Sequence, residues 1–212
     1  MRSGLSAAVR SRLKAKDAKL QEHLATKTEL PDSVANAYRE PELKASLAGD
    51  TRNKCAYCES KVDHTYYGDV EHILPKTARP ELRLTYENLT YSCAICNNSK
   101  GEFYDPTTPL VDPFSDDPSS EFFPFGYLLR WRPGRERALL TIDKLQLNRL
   151  PLVERRKERI ELLMHLGDQF AKAPDGALKD LLREELCNQS AEDKEYTLFT
   201  TFYVNQVCGI HC

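Results

Sequence analysis

The sequence predicts an α+β chain in which a small four-cysteine finger is embedded between an N-terminal helical segment and a C-terminal helical segment. Three observations carry that expectation. Two Cys-x-x-Cys pairs, Cys55–Cys58 and Cys93–Cys96, are spaced like the two knuckles of one metal finger. Between them, a short apolar run around 70–74 reads as a strand and residues 88–92 as a strand or turn. Apolar residues recur at helical spacing before and after this region.

In order, residues 5–25 place Leu5, Ala8, Val9, Leu13, Leu20 and Leu24 on one side of a Lys- and Arg-rich amphipathic helix. Pro31-Asp32 and Pro41-Glu42 each read as the start of a short helix, since proline is tolerated in the first turn. These residues, 1–54, form the first segment, and the finger follows at 55–104. Residues 105–120 hold four prolines with Asp and Ser, which predicts a wrapping loop. Strands are expected at 122–130 and, after a Pro133-Gly134 turn, at 137–142, closing a third segment at 147. From 148 to 212 the pattern is helical, over 149–172, 174–187 and 191–206, and this segment is a candidate partner-binding surface.

Composition narrows the class of function. Charged residues make up 29% and mean hydropathy is −0.56, so a membrane span is not expected. The first residues lead into a Lys-rich helix without an apolar signal core, which argues for a cytoplasmic protein. A net charge of −2 gives no global attraction to a polyanion. The distribution is uneven, however: residues 1–54 carry a surplus of +4 and each later segment comes to −2. A grip on nucleic acid would need the basic N-terminal helix or a partner.

Seven cysteines, an odd number without an export signal, point to metal chemistry in a reducing compartment and not to a disulfide framework. Cys55, Cys58, Cys93 and Cys96 are expected to bind one structural Zn²⁺, a site closed by four thiolates. A single pair could be a redox motif, but two pairs without a βαβ pattern favour zinc. Cys187 falls on the Leu178/Leu181/Leu182/Leu186 side of its helix and reads as a core thiol. Cys208, His211 and Cys212 carry ligand chemistry at the terminus but lack a partner knuckle.

Between the knuckles lie Val70-Glu71-His72-Ile73-Leu74-Pro75-Lys76 and Asn88, and Asn97-Asn98-Ser99-Lys100 follows Cys96. A Glu-His pair alone is an ordinary surface pair, and each asparagine alone reads as a turn or cap. Their order within a four-cysteine clamp resembles the HNH nuclease family, whose core is a ββα-metal finger. That resemblance implies phosphodiester hydrolysis. His72 would be the general base and Glu71 and Asn97 the ligands of one Mg²⁺ or Mn²⁺. Asn88 would orient the loop carrying the base, and Lys100 would lie near the scissile phosphate. A neutral imidazole suits deprotonation of water near pH 7, and carboxylate and amide oxygens suit a hard cation. Two departures bear on metal preference: the residue before His72 is Glu, and the last motif position is Asn97 and not His.

The wider layout, from CAYCES through VEHILPK and SCAICNNSKG to TIDKLQLNRLPLVERR, resembles the PtuB-type HNH nucleases of Septu and retron anti-phage defence. It implies an ABC-type ATPase partner, PtuA-like, and a DNA substrate. The alternatives are an HNH nuclease acting on structured RNA such as tRNA, or an inactive zinc-clamped adaptor. Lys76 and the basic-aromatic cluster Arg130-Trp131-Arg132 are candidate phosphate contacts, as is His64. Arg155, Arg156, Lys157 and Arg159 alternate with glutamates and read as a solvated helix face.

Overall fold

The computed structural model describes residues 4–62 and 67–212, so the expectation for His64 lies outside the described residues. The first helix, α1 (Ala7–Thr26), starts where the Ser6 side chain caps the Val9 amide and buries Val9, Leu13 and Leu20. Two further helices follow, α2 (Asp32–Ala35) and α3 (Pro41–Asp50), with a 3-10 turn at Ala37–Arg39 between them. Leu43 and Leu47 of α3 are fully buried. Much of the positive charge of α1 is spent inside this segment: Arg12 pairs with Glu40 and Glu42, and Lys16 donates to the Ser33 carbonyl.

The finger is a ββα unit. Strands β1 (Asp69–His72) and β2 (Leu89–Ser92) pair antiparallel, with Asp69 opposite Ser92 and His72 opposite Leu89. Helix α4 (Ala94–Lys100) closes it. Gly68 opens β1 with φ +58°, and a Cβ there would lie 2.3 Å from the Tyr91 ring, so no larger residue fits.

Residues 105–117 form the expected loop. Asp105, Asp112 and Asp117 each accept a backbone amide two residues on, which makes three Asx turns. The loop ends in a single helical turn, α5 (Pro118–Glu121). The next segment departs from expectation. The predicted strand at 122–130 is a hairpin, β3 (Phe122–Phe125) and β4 (Leu128–Trp131). Gly126, with φ +59°, reverses the chain inside it. The predicted strand at 137–142 is instead a helix, α6 (Glu136–Lys144), because Ala138, Thr141, Ile142 and Leu145 recur at helical spacing and are buried together.

Three helices complete the chain: α7 (Leu150–Lys172), α8 (Ala177–Gln189) and α9 (Thr197–Gln206). The last begins six residues later than predicted, the preceding residues being spent on turns. Among the described residues no helix is long and apolar enough to cross a membrane.

Two side-chain expectations are corrected here. Arg156 is not solvated: it is 2% exposed and stacks 4.5 Å from the Phe199 ring centroid. It falls on the buried stripe Leu152, Ile160 and Leu163 of α7, so packing overrides its charge. Arg155 and Lys157 do form the surface pairs expected of that face, with Glu158 and Glu161. Cys187 is not a free core thiol but forms a disulfide with Cys212, with the Cα atoms 5.6 Å apart. Ile210, 2% exposed, anchors the tail and brings Cys212 back to α8.

Candidate active site and metal centre

The four sulfurs of Cys55, Cys58, Cys93 and Cys96 lie within 4.8 Å of one another, and those of Cys58 and Cys93 are 3.9 Å apart. A tetrahedron with metal–sulfur bonds of about 2.3 Å has edges of about 3.8 Å, so the set fits one ion. The two knuckles are held by local bonds. The Cys55 amide donates to the Ser60 carbonyl, the Ala56 amide to that of Tyr91, and the Cys93 sulfur caps α4 by accepting the Cys96 amide. Sequence reasoning missed Arg149, which donates to the sulfurs of Cys58 and Cys96. Four thiolates around a divalent ion leave a net charge of −2, which the guanidinium offsets in part. The C-terminal helices are also tied to the finger: Lys54 donates to Thr197 and to the Lys194 carbonyl, and the Lys61 amide to Glu195.

On the other side of β1 is a cleft of about 520 Å³ whose lining includes Glu71, His72, Lys76, Asn97 and Lys100. The strand ends at His72, so the chain bends there and neighbours of opposite strand parity both line one cleft. Asn88 makes that bend. Its Oδ1 accepts the Leu74 amide at 2.8 Å and its Nδ2 donates to the carbonyls of Leu74 and Leu82.

His72 is 5% exposed, and its Nε2 is 3.0 Å from the Arg83 carbonyl oxygen. A carbonyl can only accept, so Nε2 carries the proton and Nδ1 is left as the ring's acceptor. The ring meets that of Tyr38 edge-on, with centroids 4.7 Å apart. Burial pushes the His72 pKa down to about 4, and the charges of Lys76, Arg83 and Lys100 act in the same direction. The imidazole is therefore neutral at pH 7.

A pH prediction follows. The unfolded chain protonates this histidine near pH 6.5, whereas the folded chain resists until about 4. The corresponding stability is complete above pH 6.5 and is lost as pH falls towards 4, by roughly 3 kcal/mol. Urea melts from pH 7 to 4.5 should show this fall in the parent chain, and His72→Gln should flatten it. Equal slopes for the two proteins would contradict a neutral, buried His72.

Lys100, expected near the scissile phosphate, lines the cleft but is held by protein partners. It is 4% exposed, and its Nζ donates to Glu71 Oε1 at 2.6 Å and to the His72 carbonyl at 2.7 Å. Burial raises the Glu71 pKa above the ordinary carboxylate value, and the Lys100 ammonium opposes that rise. Asn97 lies one turn earlier on α4, and its Nδ2 donates to Asp69 Oδ2 at 3.1 Å. Asp69 was not singled out from the sequence, yet period-2 spacing puts it on the face of β1 that carries Glu71. Two carboxylates and an amide thus converge at the cleft, a hard-donor set that fits Mg²⁺- or Mn²⁺-like chemistry. Arg130 and Arg132 do not line it: Arg130 stacks on Trp131 and Arg132 donates to the Ser119 carbonyl.

A model of the HNH endonuclease family matches residues 55–103. The Septu protein PtuB of Bacillus thuringiensis is 33% identical over 64% of this chain and 55% of its own length. The Septu protein PtuB of Bacillus mycoides (strain KBAB4) is 29% identical over 76% of this chain and 65% of its own. The chain therefore spans just over half of the first relative and under two thirds of the second. The retron Vc95 putative HNH endonuclease of Vibrio cholerae serotype O1 biovar El Tor is 35% identical over 61% of this chain and 73% of its own length. With a ββα unit clamped by four cysteines and the Glu-His, Asn and Asn positions gathered about it, the chain belongs to the HNH endonuclease family and is similar to the Septu PtuB proteins.

Proposed function

We propose that the protein is a metal-dependent endonuclease that hydrolyses phosphodiester bonds of DNA. It acts in the cytoplasm as the effector of an anti-phage defence complex with a PtuA-like ABC-type ATPase. The observation that carries the chemistry is the fixed tautomer of His72, next to the carboxylate and amide oxygens of Glu71, Asp69 and Asn97. Nδ1 of His72 accepts the proton of the attacking water, and Asn88 holds the loop that keeps this ring in place. Glu71 and Asn97 would hold the catalytic cation, with Asp69 beside them. When bound, Mg²⁺ or Mn²⁺ supplies charge neutralisation at the phosphate and the leaving oxygen. Zn²⁺ in the four-cysteine clamp is structural, because its coordination is filled by sulfur. The defence role rests on the Septu and retron names of the relatives.

Plasmid DNA and tRNA incubated with the protein, alone and with its ATPase, test this reading. Cleavage of DNA is expected with Mg²⁺ or Mn²⁺, is lost in EDTA, and returns without added zinc. Cleavage confined to tRNA would move the substrate to RNA, and inertness under every condition would leave a zinc-clamped adaptor.

A further inference from the structure

The cleft has a wall that the HNH motif does not supply. Arg39, from the 3-10 turn after α2, and Lys44, on α3, line it together with Lys76. Asp69, Glu71, His72 and Glu102 line the same cleft. Arg39 is exposed, Lys44 and Lys76 are half-buried, and among the described residues none of the three is ion-paired with a carboxylate. Tyr38 organises this wall. Lys76 Nζ donates to its hydroxyl at 3.4 Å, while the cations of Arg39 and Lys76 lie 5.5 and 5.4 Å from its ring centroid. The same ring meets His72, so the positive wall and the imidazole share one support. No residue of α1 lines the cleft, whose basic residues come from the second half of the N-terminal segment, Arg39 and Lys44, and from Lys76 of the finger.

From this arrangement we infer that Arg39, Lys44 and Lys76 bind the backbone phosphates of the polynucleotide flanking the bond at His72. The inference rests on the nuclease reading above and extends it to Arg39 and Lys44, outside the finger, alongside Lys76. Three cations without carboxylate ion pairs among the described residues attract a polyanion into a cleft that also holds the carboxylates of Asp69, Glu71 and Glu102. Ammonium and guanidinium groups that contact phosphate carry no base information, so the grip is independent of sequence.

The test uses the full chain in a His72→Ala background, which keeps the oligonucleotide intact. Fluorescence anisotropy measures the affinity for labelled oligonucleotides of two unrelated sequences over a series of salt concentrations. Arg39→Gln and Lys44→Gln should each weaken binding several-fold, equally for both sequences, and should each flatten the slope of log K against log salt by about 1. Arg39→Lys and Lys44→Arg keep the charge and should retain most of the affinity, which separates lost phosphate contact from damaged folding. Arg130→Gln, on the hairpin outside the cleft, should change nothing. Unchanged affinity and slope in the glutamine variants, with the parent chain still cutting its substrate, would overturn the inference and leave the nuclease reading standing. Loss on Arg130→Gln alone would overturn it too and place the strand on the hairpin. A parent chain that neither binds nor cuts in any partner and metal condition would overturn both.

Discussion

Replacing His72 by alanine should cut the cleavage rate by about 10²–10⁴, the usual size of a general-base contribution, and leave the four-cysteine metal in place. Cys55→Ser should fail differently. Three thiolates hold a structural ion poorly, and such sites contribute about 10–16 kcal/mol of apparent binding energy to folding. The variant should lose the clamp's metal and the fold of the finger together, because Cys55 is fully buried and its amide braces the knuckle. Zinc analysis and thermal melting read one effect, and cleavage by the still-folded His72→Ala reads the other. His72 is itself buried and bonded to the Arg83 carbonyl, so a fall of a few degrees in its variant is compatible with the separation. Equal loss of zinc in both variants would refute it.

Lys100→Met should be the most damaging change in the cleft that leaves the four-cysteine clamp alone. The ammonium and the Glu71 carboxylate are both withdrawn from water, with side-chain exposures of 2% and 9%. Removing one partner of a buried pair costs about 3–5 kcal/mol, since the other charge stays buried without compensation. For a chain of this size, that lowers the melting temperature by about 10 °C. Glu71→Gln should cost less, because its amide oxygen still accepts the ammonium's hydrogen bond. Added Mn²⁺ should restore part of the loss in Lys100→Met by engaging the freed carboxylate, and should raise its melting temperature more than that of the parent. A Lys100→Met chain that melts like the parent would show that this pair does not hold the site together.

Much of the site was legible in the residues because its geometry is local. A Cys-x-x-Cys pair makes its own knuckle, and Cys93 caps the helix that carries Asn97 and Lys100. Asn88 reaches Leu74 across one antiparallel pair. Each of these contacts lies within a single ββα unit, so order and spacing determine them. Helix positions before and after the finger follow from the same short-range periodicity, and the misreadings came where it was ambiguous. Residues 137–142 are a short, mostly apolar run that passes for a strand, and burial of Ala138, Thr141 and Ile142 on one side marks them as helical. The reversal at Gly126 sits inside a run whose apolar character reads as one strand.

Tertiary structure alone decided what surrounds the motif. Tyr38 and Arg39 meet His72 and Lys76 because α3 packs against the finger's sheet, and nothing in the spacing of residues 38 and 72 announces that contact. Arg149 reaches the thiolates from a segment 53 residues beyond Cys96, and Cys212 finds Cys187 because Ile210 docks the tail. Lys100 has the composition of a phosphate contact, yet burial beside Glu71 makes it the carboxylate's counter-ion. The physical reason is the same throughout. The sequence by itself determined the chemistry that neighbours within one small unit can assemble, whereas partners brought together by packing depend on which apolar faces bury each other.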